Sequence, residues 1–353
     1  MARNRVIYQS EAVSVGPSNA TATSLKRVQS CNYNFSLERT DVNQFGELAS
    51  IERLIIQEPT VAVDLSYYFE SSAANEAALG FTSSATLHML NTMVTGDIFA
   101  NEKNIFIKTS AAGAEATATT EGVIGIGNCF LTSWSLEAAV GAIPTVSCAF
   151  EGQNIAFAKS TVLTENPSVT GLGVARTETS AAPSFTAFNT GSDIAAIRPG
   201  NITVLLSDSA SDSLPMIGMA ESDLKVQSVT VAITMSREPL RKLGSIYAIS
   251  KELTFPIKCT MSVTAVVGDS VAGTVSALAA NSTGAGTADT ASYSCSLALK
   301  GITNNGTSTT KTFTLKKCKL DSQNITSSIG ANKTVVMEFS AQIGEGSGLF
   351  MSV

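Results

Sequence analysis

The sequence predicts a mainly β protein of two tandem homologous antiparallel domains, each a β-sandwich or open barrel, with a short helix in at least the first. Three observations carry this: the sequence repeats itself, equivalent segments share an alternation of period two, and one stretch has helix-forming composition. Length agrees, since 353 residues at about 150 per domain suit two units that each bury a core.

The repeat comes in two blocks. A shift of 198 places Val28-Gln29-Ser30 on Val226-Gln227-Ser228, Arg39 on Arg237, Gly46 on Gly244 and Ile51 on Ile249, and a slip of one or two residues then brings Pro59 onto Pro256. A shift of 189 places Cys129 on Cys318, Leu131 on Leu320, Gly141 on Gly330 and Phe150 on Phe339. The matched segments follow the same chain order in both halves.

The strands follow from alternation. Cys31, Tyr33, Phe35 and Leu37 alternate with Asn32, Asn34, Ser36 and Glu38, as Val229, Val231, Ile233 and Met235 alternate with Thr230, Ala232, Thr234 and Ser236. Period two means a strand with one wet face. Val61 to Phe69 and the closing segments Val146–Phe150 and Val335–Phe339 repeat the pattern.

Ala73 to Leu79, stopped by Gly80, reads as a short helix. Its place in the second copy, Val271 to Ala291, is rich in Gly, Ser and Thr and predicts none. Residues 160–198 have no clear period and read as a linker, so the first domain is set at 1–198 and the second at 199–353. The restart at Asn201 to Leu205 lines up with Arg3 to Ile7 under the shift of 198.

Composition narrows the function. Only 15% of residues are charged and 6% aromatic, which leaves a neutral surface. The net charge of -6 is uneven: residues 1–198 hold 11 Lys and Arg against 18 Asp and Glu, the remainder 12 against 11. A tight grip on nucleic acid, which needs clustered basic groups, is disfavoured. The opening lacks the apolar core of a signal peptide and no stretch is long and apolar enough to span a bilayer, so the expectation is a soluble protein made in a cytoplasm. The six scattered cysteines read as reduced packing residues.

Catalytic chemistry finds little to work with. There is one histidine, His88, too few for a two-histidine metal site or a Cys-His pair with a spare ligand. Gly122, Gly125 and Gly127 lack the spacing and the following helix of a dinucleotide loop. An enzyme would need paired carboxylates; Glu137 and Glu151 are the candidates, and nothing in the sequence brings partners to them. The expectation is no enzyme, no metal and no cofactor.

Charge clusters in the loop after the first strand of each copy. Glu38, Arg39, Asp41, Glu47, Glu52, Arg53 and Glu58 are mostly acidic, while Arg237, Glu238, Arg241, Lys242, Lys251 and Glu252 are mostly basic. These are solvated hairpin loops, or surfaces of opposite sign that set register where they meet.

At these residues a resemblance emerges. The opening Met-Ala-Arg-Asn-Arg-Val-Ile-Tyr-Gln-Ser-Glu, the segment Val28 to Tyr68 with Arg39-Thr40-Asp41-Val42-Asn43-Gln44-Phe45-Gly46, and the ending Leu320 to Ile343 resemble the major tail tube proteins of tailed bacteriophages. The likeness is a pattern over strand blocks in both halves. It implies a virion structural protein, made in the host cytoplasm, whose subunits form six-fold rings that stack into the channel for the genome. The duplication is similar to double-domain tube proteins in which three chains supply six domains, giving a trimeric pseudo-hexameric ring, with a hexamer of chains as runner-up. Other implied partners are sheath, tape-measure and tail-terminator proteins, and DNA in passing, with no membrane.

By that resemblance Thr40 to Ile51 and Glu238 to Ile249 are inter-ring loops, with Asp41, Asn43, Gln44, Phe45, Glu47, Arg53, Arg237, Glu238, Arg241 and Lys242 as contact candidates. Ala2 to Gln9 and Gly200 to Ser207 are arms onto adjoining subunits. A lumen must let a polyanion slide, so its wall should carry short neutral or acidic groups. Asn32, Asn34, Ser36, Glu38, Asp64, Thr230, Thr234 and Ser236 fit that demand. Lys258 is the exception, and Asp64 of the next domain is its expected partner. The other reading from composition is a two-domain β-sandwich adhesin or decoration protein that binds a glycan or capsid face. It calls for exposed loop aromatics, and Trp134 with six tyrosines offers no evident cluster.

Overall fold

The computed structural model describes residues 11–17, 22–84, 87–96, 98–110, 120–158, 197–208, 224–268, 293–302, 308–343 and 351–352. The first copy runs β1 (Glu11–Pro17), β2 (Thr23–Ser24), β3 (Val28–Ser36), β4 (Thr40–Val42), β5 (Glu52–Leu54), β6 (Thr60–Tyr68), α1 (Ala74–Leu79), α2 (Asn91–Thr95), α3 (Ile98–Asn101), β7 (Glu102–Ser110), β8 (Thr120–Ala139), β9 (Thr145–Gly152) and β10 (Asn154–Ala158). After a 3-10 turn at Pro199–Asn201 the second runs β11 (Ile202–Asp208), β12 (Leu224–Thr234), β13 (Arg237–Leu240), β14 (Ser250–Leu253), β15 (Lys258–Val267), β16 (Tyr293–Ile302), β17 (Ser308–Thr326), β18 (Thr334–Gln342) and β19 (Met351–Ser352). The chain is mainly β, in two copies of one antiparallel design.

One long strand organises each copy. The C-terminal part of β8 pairs with β9, which pairs with β6, which pairs with β3, while its N-terminal part lies between β7 and β10. The second copy repeats this: β17 pairs with β18, then β15, then β12, and its N-terminal part lies between β16 and β19. Period-two segments thus become strands with one face in the core, except in β3, where Tyr33 and Phe35 are exposed. Val61, Val63, Leu65, Leu136, Val146 and Phe150 join Val231, Ile233, Met261, Val263, Met337 and Phe339 in one contiguous hydrophobic cluster through both copies.

The pairing registers follow the repeat to the residue. Val63 faces Phe150 as Met261 faces Phe339, and the irregularities between Val28 and Ser30 and between Leu131 and Ser133 recur between Val226 and Ser228 and between Leu320 and Ser322. Positive φ angles recur at the same shifts, Gly46 with Gly244 and Gly141 with Gly330. These are left-handed turn positions, which glycine fills without steric cost.

Three expectations are corrected. The shift of 198 holds through β6 and β15, so Pro59 stands where Ile257 does, not Pro256. β11 pairs with β16 as β1 pairs with β7, so the counterpart of β11 is Glu11–Pro17, not Arg3 to Ile7. The Gly200 to Ser207 segment is therefore largely a strand inside the chain rather than an arm; Ala2 to Gln9 lies outside the described residues, as do the 269–292 stretch and nearly all of the 160–198 linker.

Helix α1 ends on Gly80 in the left-handed region (φ 97), as its sequence predicts; α2 and α3 are additions that the sequence reading lacks. Glu76 of α1 is buried and accepts a hydrogen bond from Tyr67 Oη at 2.8 Å. Burial pushes its carboxyl up to about 7, against the lowering effect of the Tyr67 bond. The folded chain holds this proton where the unfolded chain has released it. The stabilisation is therefore whole below pH 4.5 and declines as pH rises through about 7. Glu76→Gln is expected to flatten the loss of thermal stability over that interval, checked by melting curves across pH; an unchanged slope would remove Glu76 as its source.

Candidate assembly interface

The two copies are joined edge to edge. β12 lies against the C-terminal part of β8, antiparallel, with Val231 opposite Leu136, Ile233 opposite Trp134 and Thr234 opposite Ser133. Backbone bonds from Met235 N to the Thr132 carbonyl (2.8 Å) and from Val140 N to the Gln227 carbonyl (2.9 Å) continue the ladder beyond both ends. Eight strands thus run in the order β3, β6, β9, β8, β12, β15, β18, β17.

Charge locks this joint from the second copy's side. Arg237 donates to the Leu131 carbonyl (3.0 Å) and the Lys251 carbonyl (3.0 Å), and its guanidinium lies 5.3 Å from the centre of the Phe130 ring. Burial lowers its pKa to about 10, with Glu252 and Glu151 acting the other way. Lys251 reaches Glu58 (3.4 Å) and Glu151 (2.5 Å), and Arg241 approaches Glu58 at 3.7 Å. Glu58 also accepts from Ala248 N and from Gln153. Beneath, Trp134 packs edge-on against Phe81 and tilted against Phe313 of the second copy.

Acidic and basic groups from the two loops therefore meet, but inside one chain. Arg237 and Arg241 are engaged there in whole or part, whereas Arg53 pairs with Asp41 of its own hairpin at 2.6 Å. The β4–β5 and β13–β14 hairpins carry Asn43, Gln44, Phe45, Glu47, Glu238 and Lys242 in exposed positions. Phe45, Leu48 and Leu243 are fully exposed large apolar side chains. By strand direction these hairpins leave one end of the sheet, and the β8–β9 and β17–β18 turns, with exposed Val140 and Ile329, lie at the other.

The polar face is shared across both copies. Asn32, Asp64, Ala149, Ser133, Thr234 and Lys258 stand opposite one another in a single row, and a parallel row runs Glu137, Thr230, Ser262, Glu338, Ser322. Asn34 and Ser36 belong to this face of β3, with Glu38 and Ser236 just past the strand ends beside a polar cleft at the joint. Lys258 pairs with Asp321 of its own copy at 2.8 Å, not with Asp64. Burial works against ionisation of Asp321, and the Lys258 and Ser340 hydrogen bonds with the lysine charge outweigh it, leaving the pKa low.

The two ends of the eight-strand row are open. Among the described residues β3 pairs only with β6, and residues 319–326 of β17 only with β18. Exposure shows what is missing. Val231, Ile233 and Met235 are 2%, 1% and 2% exposed, whereas their counterparts Tyr33, Phe35 and Leu37 are 38%, 59% and 39% exposed. Leu136 is 0% exposed and its counterpart Ile325 43%. The alternation predicted for the first strand is present in its sequence; Val28 and Cys31 pack against the core, and Tyr33, Phe35 and Leu37 stand exposed.

Elsewhere the chemistry is sparse. Among the described residues no group of three or more His, Cys, Asp or Glu could hold a metal ion, and no helix is long and apolar enough to cross a membrane. Gly122, Gly125 and Gly127 lie within β8. All six cysteines are free thiols, with Cys295 and Cys318 3.5 Å apart at sulfur.

No family model matches the sequence, and no curated protein matches it. Among solved structures, a chain from the six-fold symmetrised cryo-EM structure of the anti-feeding prophage baseplate aligns with a TM-score of 0.30 and 9% identity, over 44% of this chain and 97% of that one.

Proposed function

We propose that this protein is a structural virion protein that closes into rings and stacks as a tail tube, the conduit for a phage genome. The observation that carries the reading is the internal joint: the chain buries one pair of complementary edges between its copies and leaves the matching pair open at its ends. An open, partly apolar edge is a template for further strands. A head-to-tail contact of this kind satisfies both ends of the eight-strand row only by closing on itself. Three chains, six copies, make the expected ring, with the polar face of the eight strands lining the channel. That face carries Asp64, Glu137, Glu151 and Glu338 against two cations, Lys319 and a Lys258 that Asp321 neutralises, an acidic balance that suits passage of a polyanion.

Negative-stain electron microscopy of purified protein tests this. Rings with a central hole, or tubes, are the expected image, and a strictly monomeric species in all salt conditions contradicts it. A monomer that binds glycan saturably would support the adhesin reading instead.

Stacking is assigned to the hairpins. Phe45 and Leu48 at one end of the subunit, with Leu243, meet the turns at the other end of the next ring. Phe45→Asp with Leu48→Asp is expected to leave rings intact and abolish tubes, read by counting particles in micrographs; undiminished tubes would remove this hairpin from the axial contact.

A further inference from the structure

We propose that β3 of one chain pairs antiparallel with residues 322–328 of a second copy, the end of β17 and the start of the turn after it, in the register of the internal joint, and that this contact lacks the ionic lock that holds the two copies together. The inference rests on the ring reading above and adds the residues and the relative strength of the contact.

The register is set by the chain itself. In the internal joint Thr234 faces Ser133, Ala232 faces Ser135 and Val231 faces Leu136. Moving β12 back by 198 and β8 forward by 189, the shifts that the strand pairings and both irregularities obey, sets Ser36 opposite Ser322, Asn34 opposite Asn324 and Tyr33 opposite Ile325. On the polar face every such cross-strand pair is neutral; the one like-charge approach is Arg39 beside Lys319, which stands where Phe130 does. On the apolar face Tyr33, Phe35 and Ile325, all exposed in the single chain, cover one another.

The ends of the ladder carry over too. Met235 N bonds to the Thr132 carbonyl, which sets Leu37 N on the Asp321 carbonyl of the second copy. Arg237 donates to the Leu131 carbonyl, which sets Arg39, exposed in the chain, on the carbonyl of Leu320. Asymmetry of the two strands excludes a two-fold pair, so the contact propagates in one direction.

The lock does not carry over. Lys251 corresponds to Arg53, which is held by Asp41; Glu151 corresponds to Ser340, and Glu58 to Pro256. The joint between chains therefore keeps the strand ladder and a reduced apolar face, with Gln323 where Trp134 stands and Ser327 where Ala138 stands, but not the buried Glu58, Lys251 and Glu151 cluster. Rings should open between chains, never between copies.

The experiment compares disulfide capture in two double variants of the full chain, Asn34→Cys with Asn324→Cys in register and Asn34→Cys with Ser322→Cys displaced by two residues, each imaged by negative stain before mild oxidation. Ser36→Cys with Ser322→Cys is the second in-register pair if the first does not assemble. Rings from which the in-register pair yields covalent oligomers ending at three chains, at least about tenfold more than the displaced pair, are expected. Rings that form while the in-register pairs stay uncrosslinked, or while the displaced pair links equally well, overturn the register and leave the ring reading standing. Wild-type protein that forms no rings removes both.

Discussion

Replacing Tyr33 with proline is expected to leave the monomer folded and to prevent ring closure. Proline removes a backbone donor, and what matters is which way that donor points. In the internal joint the N–H of Met235 and the carbonyl of Gln227 face β8. Strand alternation turns the N–H groups of Ile233 and Val231 the same way, since both lie at even spacing from Met235. Tyr33, the counterpart of Val231, therefore aims its donor away from β6 and out of the chain. A proline there spares the β3–β6 pairing and blocks the edge. Each joint loses a ladder bond and part of the burial of a large side chain, together roughly 3 kcal/mol, repeated at every contact between chains. Val231→Pro makes the contrast, since the same change inside the chain breaks the β8–β12 ladder and lowers the stability of the monomer. Sizing and thermal melting of the two variants give the check. Rings from Tyr33→Pro, or equal melting losses in both variants, would contradict the equivalence of the two edges.

Lys251→Met is expected to cost about 3–5 kcal/mol of folding stability. Lys251 and Glu58 are each 5% exposed at the side chain, and removing the cation leaves a buried carboxylate with Arg241 at 3.7 Å as its remaining counter-charge. Removing both charges is a different case: Glu58→Gln with Lys251→Met should recover much of the loss, because no unpaired charge stays buried. Denaturant titration measures it. Additive losses in the double variant would show that the cluster does not act as a pair. The loss should appear in the monomer, since the cluster lies between the copies of one chain.

Much of this architecture is legible in the sequence because duplication writes it twice. The shifts of 198 and 189, the positions of Gly46 and Gly244, and the alternation of Val229 to Met235 mark the strands around each joint. Helix α1 is legible from its composition and its glycine stop. Strands β1, β7 and β16 do not stand out. In β7, Glu102, Lys103, Asn104 and Lys108 are polar yet buried, which hides a strand from any reading by hydrophobic period.

The joint is half legible. Opposite charge in the two loops indicates surfaces that meet, but local sequence carries no sign of whether they meet within a chain or between chains. Only the pairing of β12 with β8 decides it, a contact between segments far apart along the chain. The same absence of long-range information makes Tyr33, Phe35 and Leu37 look like core. Their alternation matches that of Val231, Ile233 and Met235, and what differs is the neighbouring strand. Lys258 meets Asp321 rather than Asp64 for the same reason, since Asp321 arrives through the irregularity in β17 after Leu320.

In the assembled particle, sister chains are expected to complete the edge that this chain completes internally. A cryo-EM map of the assembled particle, at a resolution that separates strands, measures it directly. The result expected is a closed, continuous inner sheet in which the contact between chains superposes on the β8–β12 contact within a chain, with Asn34 beside Asn324. A particle whose chains touch through other surfaces, with β3 and residues 319–326 still bare toward solvent, would contradict it.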